Sequence, residues 1–235
     1  MTYKLKLAGK EEILKDTFGL YFDKGQSGIK FLAGQFVTVT IPDLNAADGK
    51  GNERHFSIAN SPNENNIEII IRKSGSDFSN AILNLPLGSQ LLFDEPRGEI
   101  HSRKLAESNF IPVFIAGGTG ITPVRSIMRD FEEKGIDKEI ILFYANRSIE
   151  TAVFLNEFEN LSKEKNNFTF IPILENSSDT KTERGYFSQE IFKKYVNEID
   201  KHVFFVTGPP MMLSEAIKVL VNSGVPEDKI FIENI

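Results

Sequence analysis

Four clusters of residues in this chain have types and spacings suited to chemistry. The first is Arg54-His55-Phe56-Ser57. An arginine, a planar ring and a hydroxyl within four residues supply a phosphate ligand, a stacking surface and a hydrogen bond to a ring nitrogen. The same letters also read as an ordinary strand with one buried phenylalanine. The second cluster is Ile71-Arg72-Lys73, followed by Gly75-Ser76-Asp77-Phe78-Ser79. There a helix start, with basic residues just upstream, offers N–H groups to an anion. Ser76 or Asp77 also suits the role of helix cap, and capping and anion binding coexist at one helix start.

The third cluster is Gly117-Gly118-Thr119-Gly120-Ile121-Thr122-Pro123, set between an apolar run and an amphipathic stretch. Glycines let a backbone approach a pyrophosphate, and Pro123 suits a first helical turn, where its missing N–H costs nothing. A glycine turn used only for packing has the same sequence. The fourth is Thr207-Gly208-Pro209-Pro210-Met211-Met212, which again follows an apolar run and opens a helix. Neither turn is the usual dinucleotide fingerprint. Pro123 stands where the third glycine would be, and the next apolar run ends in Asn146-Arg147-Ser148 instead of an acid for a ribose. Arg147 either meets a 2′-phosphate or is a solvated loop arginine.

Composition narrows the alternatives. The 235 residues contain no cysteine, which removes disulfides, thiolate zinc sites, cysteine-ligated iron–sulfur clusters and cysteine nucleophiles. The three histidines, His55, His101 and His202, have no metal-ligand spacing. With 27 basic and 33 acidic side chains the net charge is −6, which argues against nucleic acid as a partner. Residues 1–103 hold 12 basic and 13 acidic groups, so most of the negative charge lies in residues 104–235. No apolar run approaches the roughly 18 residues of a spanning helix, and the start lacks the apolar block of a signal peptide. The expectation is a soluble, cytoplasmic protein without a membrane span.

The elements that must position these clusters divide at about residue 103. Residues 3–7, 35–41, 56–59, 67–72 and 90–93 read as short strands separated by Gly, Pro, Asn and Asp, the pattern of an antiparallel barrel or sandwich. Residues 79–85 have helical spacing and stop at Pro86. Further on, apolar runs at 111–116, 139–145, 168–174, 203–206 and 229–233 alternate with helical stretches at 124–134, 152–161, 189–196 and 211–222. Five such runs predict a five-stranded parallel sheet wrapped by helices. Polar residues 102–109 are expected to form the joint between domains 1–103 and 104–235.

Taken in order, these pieces resemble the ferredoxin–NADP reductase family of flavoproteins. The matching features are the Arg-x-aromatic-Ser run at 54–57, the glycine-to-Ser79 turn and residues 117–123. The Gly-Pro-x-Met turn at 208–211 and Ile232-Glu233 also match, with Gly34-Gln35-Phe36 and Pro96-Arg97-Gly98 in support. The resemblance implies a six-stranded antiparallel Greek-key barrel that binds FAD, followed by an α/β domain that binds NAD(P)H. It puts Arg54 on the flavin pyrophosphate, Phe56 against the flavin ring and Ser57 near the flavin N5. Ile71, Arg72 and Lys73 would run along the cofactor, and the N–H groups of Phe78, Ser79 and Asn80 would hold a phosphate. Gly118, Thr119, Gly120 and Thr122 would contact the nicotinamide nucleotide, with Arg147 a candidate for its 2′-phosphate. Gly208, Pro209 and Met211 would complete that cleft, and Glu233 would sit near the flavin, with Ser57 and Glu233 as the catalytic pair. Three positions depart from the pattern. Phe56 stands where tyrosine is common, and Thr207 where many relatives have cysteine. The sequence closes Glu233-Asn234-Ile235 without the aromatic that many relatives place there.

The activity implied is hydride transfer from NAD(P)H to bound FAD, chemistry that the cofactors carry and the protein organises by position. Electrons would pass to a separate acceptor such as a ferredoxin, an oxygenase component or a haem protein, because no cysteine is present to hold an iron–sulfur relay. Reduction of free flavin as a substrate is a second reading. A nucleotide-sensing subunit that binds both cofactors without turnover is a third.

Overall fold

Alternation in the first hundred residues becomes six antiparallel strands: β1 (Thr2–Leu14), β2 (Thr17–Asp23), β3 (Phe36–Thr40), β4 (Glu53–Ser57), β5 (Asn66–Arg72) and β6 (Gln90–Asp94). They lie in the order β4-β3-β6-β1-β2-β5, and a bridge between Ile58 and Ile69 joins the two ends of the row into a barrel. Inward residues such as Leu5, Leu20, Phe22, Val39, Ile69 and Phe93 fill it. One helix, α1 (Asp77–Asn84), follows β5.

The strand β2 escaped the sequence pattern. Its residues, Thr17-Phe18-Gly19-Leu20-Tyr21-Phe22-Asp23, are too uniformly apolar and aromatic to alternate cleanly. It is a strand because it pairs with β1 on one side and with β5 along its full length on the other. That pairing also carries β1 to Leu14, well past the expected end at residue 7, through a polar stretch that main-chain bonds hold in place.

Two features of the later residues depart from expectation. The predicted joint at 102–109 contains a helix, α2 (Ser102–Glu107). The parallel sheet is built from β7 (Ile111–Gly117), β8 (Ile140–Asn146), β9 (Phe168–Leu174), β10 (Glu183–Arg184), β11 (His202–Thr207) and β12 (Ile230–Glu233). Its order is β10-β9-β8-β7-β11-β12, so it has six strands where five were expected. The extra one, β10, is a charged pair of residues that extends the sheet beside Ile173 and Leu174. Two residues carry no periodicity, so only the neighbouring strand defines them. Helices α3 (Thr122–Lys134), α4 (Leu155–Glu164), α5 (Gln189–Tyr195) and α6 (Pro210–Asn222) begin within about three residues of their predicted starts. The central strands are buried on both faces, as their continuous apolar runs require.

The computed structural model describes residues 1–49, 51–176 and 182–233. Asn234 and Ile235, on which the expectation about a closing aromatic falls, lie outside them. Packing groups the chain into two units: Met1–Ser102 with Thr122–Lys134, and Arg103–Ile121 with Gly135–Ile235. Helix α3 thus packs with the barrel. Among the described residues no helix is long and apolar enough to cross a membrane, and no group of three or more His, Asp or Glu side chains could hold a metal ion.

Candidate functional site

In the barrel unit, β4 presents alternate side chains to two sides. Arg54 and Phe56 share one side and converge on Phe78 of α1. The Arg54 guanidinium lies 5.1 Å from the Phe78 ring centroid, and the Phe56 ring lies 6.0 Å from it. His55 turns the other way, 3.0 Å from the Thr38 hydroxyl, which also accepts from Arg97 at 2.7 Å. Ser57 is buried. Strand β4 is pinned to β3 by five successive residue pairs, from Thr40–Glu53 to Phe36–Ser57, so all four side chains have fixed directions.

Arg54 already has internal acceptors. It donates to the carbonyls of Glu53 (2.6 Å) and Gly51 (3.3 Å), and the Asp48 carboxylate lies 3.7 Å away. Asp77, at the start of α1, accepts from the N–H groups of Ala47 (2.7 Å) and Asp48 (3.1 Å). The loop before β4 is thereby fastened to the helix that carries Phe78. The arrangement leaves a half-buried guanidinium beside two aromatic rings, a setting in which a phosphate would compete with one surface carboxylate.

The start of α1 is partly self-satisfied. Ser76 is its N-cap, accepting from Ser79 N–H at 3.2 Å, and the Ser76 carbonyl takes the Asn80 N–H at 2.9 Å. Ser74, Ser76 and Ser79 also link their hydroxyls at 3.0 and 3.2 Å. Of the expected cofactor strand, Ile71 is buried in the barrel core, whereas Arg72 and Lys73 are exposed. Ile71 therefore has only its main chain to offer a ligand.

In the second unit the two glycine turns touch each other. A Cβ on Gly117 would stand 2.1 Å from the Met212 sulfur, and one on Gly208 would be 3.0 Å from it. A Cβ on Gly120 would meet the Thr207 carbonyl oxygen at 2.7 Å and the Gly208 nitrogen at 2.8 Å. Gly120 is thus required by close backbone approach, whereas Gly117 and Gly208 make room for the Met212 side chain. Gly118 differs: it sits at φ +55°, and a Cβ there would meet nothing within 4 Å. Its carbonyl lies 3.0 Å from the Tyr144 hydroxyl, which fixes the open turn to β8. Thr119 and Gly120 are half-buried, Thr122 is buried in the first turn of α3, and Arg147 and Pro209 are exposed. Met211 is 84% exposed at the start of α6.

The sheet places Thr207 beside Ala116 on one side and Glu233 on the other, so the strand ends lie level. Two side chains at this edge carry buried polar atoms with no hydrogen-bond partner among the described residues. Glu233 is 6% exposed and its Oε2 has no hydrogen bond; burial raises its pKa to about 8. Asn146, 8% exposed at the end of β8, has neither amide atom satisfied. Such orphans are costly and mark places where a ligand or water supplies the partner. Both stand at the carboxyl ends of parallel strands, where open α/β sheets bind ligands. Asn146 was not a predicted site residue; its signal is a polar amide closing an apolar strand.

Comparison with known proteins agrees with this geometry. Residues 4–102 match the oxidoreductase FAD-binding domain and residues 114–218 the oxidoreductase NAD-binding domain. The chain is 34% identical over 212 residues to the phenol hydroxylase P5 protein of Acinetobacter pittii, covering 87% of this chain and 58% of that protein. It is 29% identical to the reductase component DmpP of phenol 2-monooxygenase from Pseudomonas sp., covering 86% and 57% respectively. The chain thus spans somewhat under three fifths of these relatives. A ferredoxin NADP+ reductase from Neisseria gonorrhoeae, solved with FAD and NADP, has the same fold, with TM-score 0.80 at 19% identity over 99% of this chain and 98% of that one.

Proposed function

Because the chain belongs to the ferredoxin reductase-like flavoprotein family, with an FAD-binding and an NAD-binding domain, we propose that it takes hydride from NAD(P)H into bound FAD and passes the electrons to an acceptor outside these 235 residues. The observation that carries the reading is the convergence of Arg54 and Phe56 on Phe78 at the start of α1.

The residues fit both cofactors. Arg54 offers a charge-assisted fork to a pyrophosphate, in exchange for its contact with Asp48. Phe56 provides a flat apolar face for a ring, and its lack of a hydroxyl leaves stacking intact. Ser57, buried on β4, supplies a hydrogen bond toward the flavin. Gly118 leaves its N-terminal turn open to a phosphate, and the buried carboxyl of Glu233 and amide of Asn146 await partners. When bound, the cofactors supply the hydride chemistry. The chain's own residues bind and orient each cofactor. Glu233, held protonated near neutral pH by burial, stores a proton at its carboxyl oxygen.

The acceptor is a ferredoxin, an oxygenase component or a haem protein. The relative named as the reductase component of phenol 2-monooxygenase favours the oxygenase. A cytoplasmic location belongs to the same reading, since the nucleotide donor is an intracellular metabolite. The test is to purify the protein, record its visible spectrum, release and identify the flavin, and mix it anaerobically with NADH and with NADPH. Bound FAD that bleaches with either donor is expected. A protein that cannot bind FAD, or whose FAD stays oxidised with both donors, refutes the proposal.

A further inference from the structure

Helix α3 carries a polar stripe that neither cofactor site accounts for. Arg125, Ser126, Arg129 and Glu133 all meet the barrel segment from Ala59 to Glu68. Arg125 and Glu68 are 6% and 3% exposed, and Arg125 Nη1 lies 2.7 Å from Glu68 Oε2. The same nitrogen donates to the Ala59 carbonyl at 3.1 Å. Next along the helix, the Ser126 hydroxyl donates to the Asn60 carbonyl at 2.6 Å and accepts from the Gly34 N–H at 3.3 Å. Asn60 in turn receives the Glu68 N–H at 2.8 Å, and Ala59 N–H reaches the Glu68 carbonyl at 2.8 Å. Two consecutive main-chain carbonyls, two and three residues beyond Ser57, are therefore held by side chains of one helix. They lie where β4 closes onto β5 through Ile58 and Ile69.

We propose that Arg125 is a positioning residue. Braced by Glu68 and seconded by Ser126, it fixes the backbone that follows Ser57, and so sets how Phe56 and Ser57 face the flavin. The inference rests on the function proposed above. A buried ion pair is a poor source of net stability, because the desolvation of both charges offsets their attraction; apolar replacements of similar volume often do as well or better. What the pair does provide is direction: a planar guanidinium donates along fixed lines to a carboxylate and a carbonyl together. The rest of the stripe pairs Arg129 with Glu64 at 3.4 Å, and Glu133 accepts from the Asn63 amide at 2.7 Å and from the buried Ser61 hydroxyl at 2.5 Å; these contacts hold residues farther from Ser57 along the chain.

The test separates positioning from simple cementing of the fold. The double variant Arg125→Met/Glu68→Leu removes both charges at similar volume, and its melting temperature, flavin spectrum, FAD affinity and limiting rate of flavin reduction are compared with the parent's. Expected is a folded protein that melts near the parent, with a shifted flavin band and a limiting rate lower by about ten- to a hundredfold, since small misplacements of reacting groups have effects of that size. Arg125→Lys, which keeps the charge but loses the fixed donor directions of the planar guanidinium, should fall between. A double variant with parental spectrum and rate overturns the proposal, whatever its stability. If that variant does not fold, Ser126→Ala decides: a rate reduced several-fold at near-parental melting temperature upholds the assignment, and an unchanged rate rejects it. A parent that cannot be reduced by NADH or NADPH refutes the proposed function itself, and this assignment with it, before any variant is compared.

Discussion

Gly120 and Thr207 meet backbone to backbone: a Cβ on Gly120 would stand 2.7 Å from the Thr207 carbonyl oxygen, inside any normal contact distance. The two glycine turns at the ends of β7 and β11 are thus packed together: Gly120 is required by this backbone approach, and Gly117 and Gly208 make room for the Met212 side chain. Of these four turn glycines, Gly118 is the one whose Cβ would enter open space.

This difference separates two substitutions. Gly120→Ala must push the turns apart and is expected to destabilise the protein by about 1–3 kcal/mol, the range for overpacking. Gly118→Asn places its Cβ in open space and puts a residue tolerant of the left-handed region at φ +55°, so its cost is expected to stay under about 1 kcal/mol. Thermal denaturation of the two variants side by side checks the order. Equal losses would show that the turn is not packed as described.

Arg54→Gln removes the guanidinium from the Phe78 ring and from the expected phosphate. Charge-assisted hydrogen bonds contribute about 1.5–3 kcal/mol, so FAD affinity should fall by about ten- to a hundredfold. The remaining binding should also depend less on salt. Titration of the apoprotein with FAD at two ionic strengths measures both, and an unaltered Kd would remove Arg54 from the site.

Glu233 makes stability depend on pH in a defined direction. Its carboxyl titrates near pH 8 when folded, raised by burial from 4.5. The folded state holds the proton more tightly, so this contribution is complete below about pH 4.5 and is lost progressively as pH rises to about 8. The loss is on the order of a few kcal/mol. Glu233→Gln, which cannot ionise, should be as stable as the parent at pH 5 and more stable at pH 8.5. Parallel denaturant curves at the two pH values test it; a variant that gains nothing at high pH contradicts the burial argument.

Asn146 gives a trade-off between stability and binding. Asn146→Leu removes two unsatisfied polar atoms at similar volume and should stabilise the nucleotide-free protein by about 1 kcal/mol or more. The same change is expected to raise the KM for NAD(P)H. A destabilised variant with unchanged KM would mean that a buried water, rather than the nucleotide, satisfies the amide.

Much of this was written in the linear chain. Local patterns determined that strands precede an α/β alternation, that four clusters mark the candidate site, and that no thiolate chemistry is available. Those features are legible because alternation, glycine turns and residue types are properties of neighbours in sequence. Strands β2 and β10 were not legible, because one is uniformly apolar and the other two residues long; both exist through pairing with partners far along the chain. Nor could the sequence say which glycines clear space for a ligand and which for each other. It left Asn146 and Arg125 as ordinary letters. Only the tertiary structure buries an amide at a strand end without a partner, and only it brings Arg125 to Glu68, 57 residues away, at 2.7 Å. Burial, close backbone approach and long-range charge pairing are properties of the folded state alone.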